Sequence, residues 1–144
     1  MLNTNQKILK FLMILLAFSI LTGLIIQLFN YVESSLLKNP VGYYSLGLLS
    51  NLLGAGVIVV ILSISYYLLK LIPKVRNSTT FAGISIVILA YLIFTTLRFT
   101  TSLGPFNPFE GKFILSIILR FGITFFIPHF DRYITKRMVN KAIL

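Results

Sequence analysis

The stretch GKFILSIILRFGITFFIPHF, residues 111–130, is apolar enough to cross a bilayer, yet it carries Arg120 near its middle. A hydrocarbon core about 30 Å thick takes roughly 20 apolar residues in a helix. Arg120 lies eight residues beyond Lys112, about 12 Å deeper at a rise of 1.5 Å per residue. An arginine at such a depth costs roughly 2.5–3.5 kcal/mol on insertion scales, so it normally faces a bundle interior or a wet cavity. The spacing agrees with an inward face. Lys112, Ser116, Arg120 and Thr124 recur every four residues and so stack along one side of a helix.

Three more stretches of similar character precede this one. The four spans run over about 11–29, 46–69, 81–97 and 113–130, joined by KNPVG, IPKVRNS and GPFNPFEG, each with Pro, Gly or Asn. Such residues mark turns, and joints this short make consecutive helices antiparallel neighbours. The composition requires the same conclusion. Of the 144 residues, 57% are hydrophobic and 11% charged, against about 25% charged in soluble domains. The expectation is an all-α fold: one integral membrane domain over 1–144, a bundle of four transmembrane helices with short loops. Lys7 and Lys10 before the first span resemble a secretory leader. However, the apolar run is longer than the usual stretch of about 7–15 residues, and no small-x-small cleavage site follows near Asn30. The first helix is expected to be retained.

The net charge of +10 comes from 13 Lys and Arg against Glu33, Glu110 and Asp131. With four crossings, nine bases fall on one side: Lys7, Lys10, Lys70, Lys74, Arg76, Arg132, Lys136, Arg137 and Lys141. Lys38, Arg98 and Lys112 fall on the other, with Glu33 and Glu110. The excess of Lys and Arg in cytoplasmic loops then places both termini in the cytoplasm, in a bacterial plasma membrane. It also explains the basic balance without nucleic acid. The tail DRYITKRMVNKAIL, residues 131–144, reads as an interfacial helix. Ile134, Met138, Ala142 and Ile143 share one face, and Arg132, Lys136 and Lys141 face anionic lipid.

Helices in lipid associate through close packing and interhelical hydrogen bonds. Ser19, Gly23 and Gln27 form one stripe at four-residue spacing; Gly47, Asn51 and Ala55 form another, flanked by Ser50 and Gly54. Both are read as packing faces. Pro128 is expected to end or kink the fourth span, since its ring cannot continue the hydrogen-bond ladder. His129 and Asp131, two residues apart and pointing in different directions, read as capping or interfacial groups. In the outer loop Phe106 and Phe109 flank a turn with Pro105 and Pro108, and Tyr31, Tyr43 and Tyr44 share that level.

Tyr91, Thr95, Arg98 and Ser102 make a second polar row, on the third span, and an ion pair from Glu110 to Arg98 is expected. Two uses of Arg120 follow. In the preferred one it bonds to neighbouring helices and fixes their register. In the other, Arg98 and Arg120 form a cationic pocket, opening outward, for an anion such as a lipid phosphate or a carboxylate. The chain has no cysteine and one histidine, which excludes thiolate chemistry and a histidine metal cluster. It has no Walker-type loop, no Ser–His–Asp arrangement and no paired carboxylates within a span. No enzyme activity, cofactor or metal is expected. The favoured role is an accessory or regulatory subunit that binds another membrane protein or itself; the alternative is a small transporter or a lipid- or anion-binding protein.

Overall fold

The computed structural model describes residues 1–37, 47–101 and 106–143. Lys38, Tyr43, Tyr44, Ser102, Gly104 and Pro105 lie outside the described residues, as do the side chains of Glu33, Ala142 and Ile143. The elements are α1 (Thr4–Leu37), α2 (Leu48–Leu69), α3 (Pro73–Asn77), α4 (Thr79–Thr100), α5 (Gly111–Phe121), a 3-10 segment (Gly122–Phe126) and α6 (Ile127–Ile143). The protein is an all-α integral membrane bundle in which four helical stretches are long and apolar enough to cross a membrane. Local chemistry starts these helices. Asn3 and Gln6 bond reciprocally, the Gln6 N–H donating to Asn3 Oδ1 at 2.8 Å and the Asn3 N–H to Gln6 Oε1 at 3.0 Å, which satisfies amides that the first turn leaves open. Ser78 caps α4 by accepting from the Phe81 N–H at 3.2 Å.

The core is narrow and runs the length of the bundle. Ile14 and Phe18 from α1 meet Val59 and Leu62 from α2, Ile86 and Ala90 from α4, and Phe121 and Ile127 from the fourth stretch. Leu and Ile side chains on the outer faces, such as Leu16, Leu53 and Leu92, remain exposed and are the lipid-facing surface of such a bundle.

α1 and α2 approach closely where the small residues sit. A Cβ placed on Gly23 would lie 3.0 Å from the Leu52 Cα, and one on Gly56 would lie 3.8 Å from Ser19 Oγ. One turn further along α1, Asn51 Nδ2 donates to Gln27 Oε1. The stripe Ser19–Gly23–Gln27 is therefore the seam with α2. Gly47 is not part of it. It is exposed at the start of α2 with nothing within 4 Å of a Cβ there, so contact begins at Asn51.

The fourth stretch departs from its sequence reading. Pro128 does not end it; it is the second residue of α6, where the missing N–H is one that a first turn would leave unpaired anyway. The irregularity falls one turn earlier. In an α-helix residue 128 would donate to the Thr124 carbonyl, and proline cannot. The Ile127 N–H takes that carbonyl instead, an i→i−3 bond of the 3-10 type. The tail is accordingly not a separate helix. α6 continues the stretch and lies beside the start of α1, with Leu9 and Met13 facing Ile134 and Met138 across a cavity of about 450 Å³.

The 3-10 segment packs on α4 at Gly83, where a Cβ would come within 2.6 Å of both the Phe125 carbonyl oxygen and Phe125 Cδ2. A backbone oxygen cannot yield as a side-chain end can. Gly83→Ala is expected to destabilise the bundle by about 1–3 kcal/mol, the usual range for overpacking. Gly54→Ala, with nothing within 4 Å, should be neutral or stabilising by up to about 1 kcal/mol. Thermal unfolding in detergent separates the two, and equal midpoints would remove the close contact from the account.

Candidate functional site

The most concentrated polar chemistry lies at the end of the bundle where α1 begins, α2 ends and α6 begins. Asp131 in α6 is 1% exposed. Its Oδ1 lies 2.7 Å from Lys10 Nζ of α1, and its Oδ2 lies 2.9 Å from Lys70 Nζ just past α2. Tyr66 Oη donates to Oδ2 at 2.7 Å, and Tyr67 Oη stands 3.5 Å from Oδ1. Lys10 Nζ also donates to Thr135 Oγ1 at 3.1 Å, and that hydroxyl donates to the Asp131 carbonyl at 2.8 Å. Both lysines stand by aromatic faces, Lys10 at 5.8 Å from the Tyr67 ring centre and Lys70 at 5.3 Å from those of Tyr66 and Tyr67. Arg132 Nη2 donates to the Arg76 carbonyl at 2.8 Å, which ties α6 to α3 as well.

Asp131 is thus not a capping group, since it stands one turn inside α6. It is the acid on which three elements close, and both ion pairs among the described residues are its own. His129 does point elsewhere, its ring 5.4 Å from that of Phe125 and 5.9 Å from that of Phe126. The sequence held a signal for the buried acid. Ile127, Asp131 and Ile134 recur at helical spacing, and Lys10, Ile14 and Phe18 do the same on α1; all six are buried. A charge in step with the apolar face of its helix points into the bundle.

Arg120 faces inward, as its depth requires. Its Nη1 donates to Ser116 Oγ, its guanidinium carbon lies 5.9 Å from the Phe29 ring centre of α1, and it lines a cavity of about 340 Å³ with Ser50, Asn51, Gly54 and Phe94. The rest of its expected row disperses. Lys112 is exposed at the start of α5. Thr124 is fully buried and donates to the Phe121 carbonyl at 2.5 Å. The 3-10 segment explains this. At three residues per turn, a step of four rotates the side chain by about 120° off the row, where an α-helix rotates it by about 40°.

The outer residues form a separate aromatic cluster. The Arg98 guanidinium lies 5.5 Å from the Phe106 ring centre, and Phe106 packs edge-on to Phe99 and Phe113 at 5.3 and 4.7 Å. Tyr91 Oη donates to the Pro108 carbonyl at 2.6 Å. Phe106 therefore turns inward, while Phe109 is 81% exposed. Glu110 is exposed. Its carbonyl accepts from the Phe113 and Ile114 N–H groups at the start of α5, and its carboxylate forms neither ion pair noted above. Arg98 does not line the Arg120 cavity.

No known protein family, curated protein or solved structure matches the chain.

Removing one partner of a buried ion pair costs about 3–5 kcal/mol, because the other charges stay buried without compensation. Asp131→Asn should lower stability by that amount in detergent unfolding. Replacing the set together, Asp131→Leu with Lys10→Met and Lys70→Met, should restore most of the loss. A triple variant no more stable than Asp131→Asn would show that the cluster does more than hold charge.

Proposed function

We propose that this protein is a non-enzymatic accessory or regulatory subunit of a bacterial plasma membrane, acting by binding another membrane protein or a second copy of itself, with both termini in the cytoplasm. The observation that carries this reading is where its polar side chains spend their bonding capacity. Asn51 bonds to Gln27, Arg120 to Ser116, and Asp131 to Lys10, Lys70 and Tyr66. Each of these bonds joins helices or fixes a side chain against its own helix, which is how a binding scaffold uses intramembrane polar groups. The orientation rests on charge: the bases Lys10, Lys70, Arg76 and Arg132 meet at one end of the bundle, and loops rich in Lys and Arg stay cytoplasmic.

One observation favours a second reading. The cavity beside Arg120 is lined by a cation, an amide and a hydroxyl, a donor set suited to the phosphate or carboxylate of a lipid or small anion. Arg98 takes no part in it, so the reading concerns Arg120 alone.

Native mass spectrometry of the protein, extracted gently from its own membrane, discriminates the two. Under the subunit reading a second polypeptide or a second copy is retained at fixed stoichiometry, and Arg120→Gln lowers that retention or the stability of the bundle. Under the anion reading a monomer carries a defined anionic lipid, which Arg120→Gln removes while the fold is intact. A bare monomer, unchanged by the substitution, would defeat both.

A further inference from the structure

A cavity of about 680 Å³ lies against the Asp131 cluster between the start of α1, the end of α2 and α6. Its size is that of ligand sites, which run from about 300 to 1,000 Å³. Its walls and its rim differ in chemistry. Phe11, Ile64 and Leu68 supply apolar wall, and Lys7, Lys10 and Lys70 supply cations. Asp131 is the carboxylate that meets this set. Three positive charges against one negative leave two in excess. Ile64 and Leu68 are exposed on the outer face of α2, so the apolar wall opens sideways toward lipid while the lysines lie at the end of the bundle.

An apolar groove that opens into the bilayer beneath an uncompensated pair of positive charges matches one kind of molecule in charge and in shape. We propose that this groove binds an anionic phospholipid of the leaflet at the basic end, with the phosphate among Lys7, Lys10 and Lys70 and an acyl chain along Ile64 and Leu68. The Asp131 cluster presets the site. It holds Lys10 and Lys70 at fixed positions before any lipid arrives, so little side-chain freedom is lost on binding. Lys7 is exposed and outside that cluster, and therefore reports lipid without disturbing the fold. This inference is independent of the subunit reading and concerns a different cavity from that beside Arg120.

The chain has no tryptophan, so an introduced one is a single fluorophore. Leu68→Trp puts it on the groove wall, and Ile64→Trp, one turn away on the same face, gives an independent reporter. Phe81→Trp, exposed at the start of α4 beside Lys74, reports ordinary lipid around the same basic end. The full chain is reconstituted in phosphatidylcholine vesicles holding a tenth of brominated phosphatidylglycerol or of brominated phosphatidylcholine, and quenching is compared. Each lysine near an anionic headgroup contributes about fivefold in preference. The groove reporters should therefore prefer phosphatidylglycerol by at least about fivefold more than the Phe81→Trp reporter does. Adding Lys7→Gln should cut the groove preference about fivefold and leave that at position 81 unchanged. Equal preferences at the groove and at position 81 would mean only general enrichment of anionic lipid, and would overturn the proposal. So would a groove preference indifferent to Lys7→Gln.

Discussion

A carboxylate with 1% exposure can be kept charged inside a helical bundle only if cations are brought to it, and Asp131 draws Lys10 and Lys70 from two other elements. The attraction carries structural information because its partners are 121 and 61 positions away in the chain. An unpaired buried charge costs several kcal/mol, so any arrangement that separates α6 from α1 or from the end of α2 is penalised. Apolar packing alone gives lipid-facing helices little reason to prefer one neighbour over another. The ionic cluster supplies that preference at one end of the molecule and fixes which faces of α1, α2 and α6 meet.

The two ends of the bundle are held by different chemistry. At the basic end, charge and hydroxyl hydrogen bonds join three elements. At the other, Phe99, Phe106 and Phe113 stack edge-on beneath the Arg98 guanidinium, and Tyr91 bonds to the backbone of the connecting loop. Between them the contacts are steric. Gly23 lets Leu52 approach α1, and Gly83 admits the carbonyl of Phe125. Small residues in the middle and anchored ends suit a short bundle, because close backbone approach gains dispersion contacts where no water is present to drive association.

The spans were legible because length and apolar composition decide them almost alone, and the four observed helical stretches overlap the expected ones, extending past most of their ends. The seam at Ser19, Gly23 and Gln27 was legible too, since small-residue spacing translates directly into close approach. What could not be read was local geometry that depends on a single backbone choice. A proline seven-eighths of the way along an apolar run can break a helix or begin one, and the residues around Pro128 are the same in both cases. Beginning a helix there put Asp131 one turn inside α6. It also rotated Thr124 away from Arg120. Arg98 and Arg120 do not meet at the Arg120 cavity because they differ in depth: Arg98 lies in the last turn of α4 and stands against Phe106, while Arg120 lies well inside the fourth stretch.

The placement of Asp131 also changes the meaning of the charge asymmetry along the chain. Nine bases at one end would repel one another in a bundle whose helix ends lie within a few side chains, and only one of the three acids falls there. That acid pairs with the two bases that the fold buries or half-buries, Lys10 and Lys70, offsets one of their two charges, and leaves the exposed bases without a carboxylate. A basic surface facing anionic headgroups loses much of its mutual repulsion to the lipid charge, within a Debye length of the surface. The same excess that biases the direction of insertion then becomes stabilising once the bundle sits in an anionic leaflet. The basic end is therefore expected to be tighter in such a leaflet than in a neutral detergent, for reasons that involve the solvent as much as the chain.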